Sequence, residues 1–256
     1  MLYVTGKTTG QIDELPLSTI EREIVQGKQQ NLVSYRYDSI DELQFELDIR
    51  LAIIAAARAL YGSGVGFATF EDSRCNPLYW NLTRTGGFRL RDDVKPSDAI
   101  NDIYANGTLY AFECATAILI IMYKAVLDVL GAELFDRHFQ ELYLRDWHSD
   151  SELRLVVTNN KLAAYPGDVV YFKNPDHDPE MPEWQGENAV MLGNGLYFGH
   201  GLGIETADKI IATLNTLRIP DSTTSAYMLD LVVTPDFDLL HGLTKGVRLT
   251  AAGLNV

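Results

Sequence analysis

Apolar positions recur at Ile40, Leu43, Leu47, Leu51 and Ile54 in the stretch "SIDELQFELDIRLAIIAAARALYGSG" that begins at Ser39. That three-and-four spacing predicts a helix. Ser39 followed by Glu42 is a capping-box pattern at its start, and Gly62 and Gly64 close it. A second helix is predicted from about Glu113 to Leu130, ended by Gly131. It is apolar nearly all round, which predicts a central buried helix. Beyond it the pattern changes. "ELYLRDWH" (141–148), "GDVVYFKN" (167–174), "NAVMLGNGLYFG" (188–199) and "AYMLDLVV" (226–233) read as strands. The Gly193-Asn194-Gly195 turn folds the third into a hairpin. A helix from about Thr206 to Leu217 interrupts them, with Ile210, Ile211 and Leu214 on one face. Helices first and a mostly antiparallel sheet after predict an α+β fold, as one domain over 1–256.

Composition narrows the function classes. The 256 residues carry 35 acidic and 21 basic side chains, a formal charge of -14. That balance argues against a nucleic-acid surface, which needs a basic face. The start, "MLYVTGKTTGQIDEL", has neither the basic head nor the apolar stretch of a signal peptide, so the expectation is synthesis in the cytoplasm. The longest apolar run, Cys114 to Tyr123, is far shorter than the roughly 20 residues that span a bilayer. Cys75 and Cys114 form at most one bridge, which is no disulfide framework.

"YAFECATAILI" (110–120) places Cys114 where a loop becomes the first turn of the buried helix. Two readings stand. Cysteine packs well as a small core residue. At a helix N-terminus, however, unpaired N–H groups and the dipole lower a thiol pKa toward a reactive thiolate. Glu113 opposes this by like-charge repulsion unless it is protonated or turned away. Cys75, in the loop "DSRCNP", reads as a bystander.

A nucleophile on the central helix with its base on the following sheet is the layout of papain-like folds. "PGDVVYFKNP" (166–175) resembles a strand of the papain-like cell-wall amidases and endopeptidases. In those enzymes the next strand begins with the catalytic histidine. Here that strand, "GENAVMLGNGLYFGHG" (186–201), has Glu187 in the histidine's place, and His200 ends the returning strand. Further segments narrow the resemblance. "YAFECATA", "DWH" (146–148), "LAAYPGDVVYFKNP" (162–175), "WQGEN" (184–188) and "YFGHGLG" (197–203) closely resemble the protein-glutamine gamma-glutamyltransferase of bacterial spore coats. The likeness extends into the Ser39 helix and "GFATF" (66–70) and fades at both termini.

The resemblance implies crosslinking of glutamine to lysine side chains without calcium or other cofactor, on protein substrates of the spore coat. By matching positions it implies Cys114 as nucleophile, with Glu187 and His200 as its polar partners. A carboxylate can take the thiol proton, and later the amine proton, if burial raises its pKa. His200 shares that task or orients Glu187, and Glu113 is a stand-in. Trp147, Trp184 and Phe70 are candidate walls for the lysine stem, or core aromatics. "DHDPE" (176–180) starts like a calcium loop but has Met181 where the sixth-position glycine belongs, so no metal is expected. Two other functions stay open: a cysteine peptidase or amidase in which water resolves the thioester, and a structural coat protein without catalysis.

Overall fold

The computed structural model describes residues 1–246. Two long helices cross its centre, Ile40–Gly62 and Cys114–Leu130. Ser39 caps the first, its hydroxyl accepting the Glu42 N–H at 3.3 Å. The expected capping box is displaced by one residue, because the Glu42 carboxylate accepts from Asp38 N–H rather than from Ser39. In Cys114–Leu130 nearly every side chain from Ala115 to Leu127 is buried. Its flanks meet the first helix on one side and the sheet residues Val169, Val190, Leu192 and Val233 on the other.

The sheet has six strands, all antiparallel, in the order Gly203–Thr206, Leu196–Gly199, Gly186–Gly193, Val169–Lys173, Tyr227–Pro235, Leu155–Asn159. Helices followed by a mostly antiparallel sheet is the expected α+β class, and a buried helix laid on that sheet is consistent with a papain-like core. Alternation divides each strand between two clusters. Val169, Val190 and Leu192 face the central helix, while Val170, Phe172 and Ala189 pack under Ile210 and Leu214 of the Ala207–Asn215 helix.

The hairpin turns at Asn194 and Gly195, both at positive φ, with an irregular register between Met191 and Gly193. Two expected bounds change, and one strand was not expected. Only Tyr143–Leu144 of 141–148 is strand, and it joins a small sheet with Trp80–Leu82 and Phe88–Leu90. Asp146 takes φ 51° there and ends the extended run. The helix expected over 206–217 stops at Asn215. Leu155–Asn159, the edge strand, carries no alternation strong enough to mark it in the sequence; Val156 and Val157 are both exposed.

The Gly167-Asp168 pair that opens the Val169–Lys173 strand is structural. Arg50 donates to Asp168 Oδ1 at 2.6 Å and to Pro166 O at 3.1 Å, all of it buried. Gly167 sits at φ +90°, and a Cβ there would fall 2.9 Å from Arg50 Cα. Glu46 and Lys28 complete the ion network and bind the N-terminal helix Thr19–Gln30 to the same point. The network fixes the sheet against the Ile40–Gly62 helix, and through it against the second.

Candidate active site

Cys114 is the first residue of its helix, and a short parallel pairing delivers it there. Gly66–Phe67 aligns with Ala111–Phe112, and Glu113 follows as the N-cap. The Glu113 carboxylate is turned onto the helix end: Oε2 accepts the Ala115 N–H at 2.8 Å and Oε1 the Thr116 N–H at 2.7 Å. Thr116 Oγ1 adds a third bond to Oε1 at 2.9 Å and itself accepts the Asp146 N–H at 3.0 Å. The "DWH" loop is thereby tied to the first turn of the helix.

The geometry decides between the two opposing influences on this thiol: the Glu113 carboxylate has taken two of the helix amides that lower a thiol pKa. Burial pushes the Cys114 thiol up, and the charges of Glu187 and then Glu113 push it further, with only Asn188 pulling it back. The resting sulfur is a thiol. Its hydrogen points to Glu113 Oε2 at 3.5 Å, and Asn188 Nδ2 donates to the sulfur at 3.4 Å.

Glu187 and Asn188 are consecutive on Gly186–Gly193 and so lie on opposite faces of the sheet. Asn188 shares the helix-facing side with Val190, opposite Tyr171 in register. Glu187 lies over the glycines of the returning strand. A Cβ on Gly199 would fall 2.9 Å from its Oε1, and one on Gly201 3.3 Å from its Oε2. Glu187 is 1% exposed, and among the described residues its Oε1 has no hydrogen-bond partner. Burial pushes this carboxyl up to about 8; the nearby amides of Gly201 and His200 oppose the shift, and the Glu113 charge adds to it. Among the described residues no hydrogen bond joins Glu187 to the sulfur, though its charge acts on Cys114.

The His200 ring is stacked on Phe112, centroids 4.9 Å apart, and Nε2 meets the Gly66 carbonyl at 3.2 Å. Burial pushes it down to about 4, so it is neutral at any working pH. Since a carbonyl only accepts, Nε2 carries the proton. Phe67 tilts against the same ring and stacks on Trp184 at 5.5 Å.

A cleft of about 2100 Å³ opens onto Cys114. Pockets for small ligands are typically about 300–1,000 Å³, so this one has room for a chain segment. Phe67, Phe70, Trp147 and Tyr171 line it, and Phe70 is held under the Arg145 guanidinium, 4.3 Å from its centroid. Glu141, Asp146, Asp150, Glu152 and Glu183 make its walls mostly acidic, against Arg137 and Arg154. Among the described residues no group of three or more His, Cys, Asp or Glu side chains stands where it could hold a metal ion. In the "DHDPE" segment Asp176 accepts from Ser222 and Asp178 from the Glu180 N–H, as turn carboxylates do.

Comparison with known proteins decides the family. The family model described as protein-glutamine gamma-glutamyltransferase matches residues 1–244. The chain belongs to this family. A protein-glutamine gamma-glutamyltransferase of Halalkalibacterium halodurans is 47% identical over 232 residues, 91% of this chain and 81% of the relative. One from Bacillus cereus is 44% identical over 221 residues, 86% of this chain and 80% of that one. A solved transglutaminase from Geobacillus stearothermophilus, without its C-terminal extension, has a TM-score of 0.75 and 49% identity. That likeness covers 82% of this chain and 98% of the other.

Within this member of the family, Cys114 and Glu113 are in hydrogen-bond contact, Glu187 acts on the sulfur through its charge from the other face of its strand, and Phe70 and Trp147 line the cleft. His200 and Trp184 lie behind that layer, His200 against the strand that leads to Cys114 and Trp184 against Phe67. Cys75 is elsewhere, a free thiol near the Trp80 carbonyl. Sequence reasoning missed Asn188, Tyr171 and Phe67. Strand alternation was the available signal for Asn188: it shares parity with Val190 and Leu192, whereas Glu187 does not.

No helix of the described residues is long and apolar enough to cross a membrane.

Proposed function

We propose that this protein joins glutamine to lysine side chains through a Cys114 thioester, releasing ammonia. The observation that carries this reading is a cysteine that opens a buried helix onto a cleft wide enough for protein, hydrogen-bonded to the Glu113 carboxylate and under the charge of the buried Glu187. The thiolate adds to the γ-carboxamide carbon, and the C–N bond breaks as ammonia leaves with a proton. The lysine amine then attacks the thioester, gives up its proton and expels the thiolate. Each half needs one group to hold and return a proton.

Glu187 is the proposed holder. Its pKa near 8 lies where a carboxyl both releases and recovers a proton at working pH. Transfer from the sulfur requires a turn of the Cys114 side chain or one bridging water, since the two are not in direct hydrogen-bond contact. Glu113 is within reach, but three capping bonds already occupy its oxygens. His200, neutral and bonded to Gly66, braces Phe112 and the amides beside Glu187. Phe67, Phe70 and Trp147 give the thioester apolar walls against water.

The test is a glutamine peptide incubated with and without a primary amine, followed by mass spectrometry. Amine-dependent isopeptide product supports the reading. Equal release of glutamate in both would instead make this a hydrolase of the amidase kind. Running the assay with and without a chelator tests the proposed independence from calcium. The spore coat is the proposed place of action, supported by the resemblance of "YAFECATA" and "WQGEN". Crosslinking of isolated coat proteins by the purified enzyme is the corresponding assay, and absence of new crosslinks would remove that assignment.

A further inference from the structure

We propose that Asn188 holds the Cys114 thiolate, supplying from the sheet the donor that Glu113 denies it at the helix end. This rests on the reading of Cys114 as nucleophile. In a cysteine–histidine pair the imidazole takes the thiol proton and then faces the thiolate as a cation. A carboxyl that takes the same proton becomes neutral and offers the sulfur no countercharge. The helix amides are the usual alternative, but those of Ala115 and Thr116 are bonded to Glu113. The thiolate therefore needs a donor from elsewhere, or it stays a thiol.

Asn188 is placed for that task. Its Nδ2 lies 3.4 Å from the sulfur, while the thiol hydrogen is directed away, to Glu113 Oε2. With the thiol as donor toward Glu113, the amide side of Asn188 is the face the sulfur can accept from. Asn188 is 7% exposed, so water competes little for that bond. Its backbone is fixed by pairing with Tyr171 of Val169–Lys173 on one side and by the pairing of its neighbour Ala189 with Gly199 on the other. Both its side chain and its backbone favour the charged sulfur. The two tasks of an imidazole are thus divided: a carboxyl moves the proton, and an amide that cannot titrate holds the charge. One-residue alternation on a single strand supplies both groups.

The test reads the sulfur directly, without substrate. In a Cys75→Ser background, the rate of Cys114 alkylation by iodoacetamide is followed from pH 6 to 10, with mass spectrometry confirming the site. Asn188→Ala should shift the profile to higher pH and slow alkylation at pH 8 by about ten- to a hundredfold, the worth of one hydrogen bond to a charged group. Asn188→Asp keeps the shape, loses the donor and adds a charge, so it should slow alkylation further. It serves as the second variant should Asn188→Ala not fold by circular dichroism. Profiles superposable on the parent in the folded variants would overturn the proposal. The reading beneath it fails separately: a Cys114→Ala variant that still incorporates amine would remove the nucleophile, whatever the alkylation profiles show.

Discussion

Gly199 lies directly against Glu187: a Cβ built on the glycine would fall 2.7 Å from Glu187 Cγ and 2.9 Å from Oε1. The backbone at Gly199 is ordinary extended strand, so alanine fits the chain but not the neighbour. Gly199→Ala should displace the carboxyl with little change to the fold. Amine incorporation is expected to fall about 100-fold, the lower end of what acid–base assistance contributes. Near-normal rates in a variant with native circular dichroism would show that the carboxyl position does not matter.

Cys114→Ala should abolish amine incorporation, and Cys75→Ala should leave most of it. The first thiol opens onto the cleft beside the Glu113 carboxyl, whereas the second is outside it with its pKa pushed up to about 11 by burial. Equal losses would break the assignment. The measurement is initial rate with a labelled amine.

Glu187 makes stability and activity move in opposite directions with pH. As the proposed base it must be ionised, so kcat/KM should rise about tenfold per pH unit below about 8 and level off above. His200, pushed down to about 4, should leave no inflection near 6.5. For stability the folded state keeps the Glu187 proton up to about 8, while the unfolded chain releases it near 4.5. Between those values the folded state binds more protons, so stability falls as pH rises. Glu187→Gln removes this fall along with the activity. Its Tm should equal wild type near pH 4 and exceed it by several degrees at pH 9, since 1 kcal/mol is worth about 2–4 °C for a chain of this size. A constant Tm difference across that range would refute the buried, protonated carboxyl.

Glu113→Ala should loosen the helix and sharpen the thiol. Loss of the N-cap costs about 1–2 kcal/mol and lowers the Tm by a few degrees. The same change frees the Ala115 and Thr116 amides and removes a negative charge from the sulfur. Iodoacetamide should therefore alkylate Cys114 faster at pH 7 than in wild type. Slower alkylation would mean that Glu113 serves chiefly as the thiol's base.

Much of this was readable in the chain. The two long helices were found within a residue or two, because their apolar spacing and caps are local properties. The hairpin was found because Asn194 and Gly195 announce its turn. The edge strand Leu155–Asn159 and the true extent of 141–148 were not, since both depend on what each strand pairs with. Cys114 and Glu187 stood out by residue type and position, and Phe70 and Trp147 by their place in segments that resemble the family.

What the sequence determined by itself is the cast: a cysteine opening a buried helix, the candidate carboxylates Glu113 and Glu187, and the family to which they belong. Only the tertiary structure decided their states. Whether a helix end lowers a thiol pKa depends on which atoms fill its amides, and here Glu113 fills them. Whether Glu187 or Asn188 meets the sulfur depends on which face of the strand turns to the helix, which Val190 and Leu192 settle by packing on it. The donor at the sulfur comes from Asn188, 74 residues away in sequence, and only packing brings the two within hydrogen-bond distance.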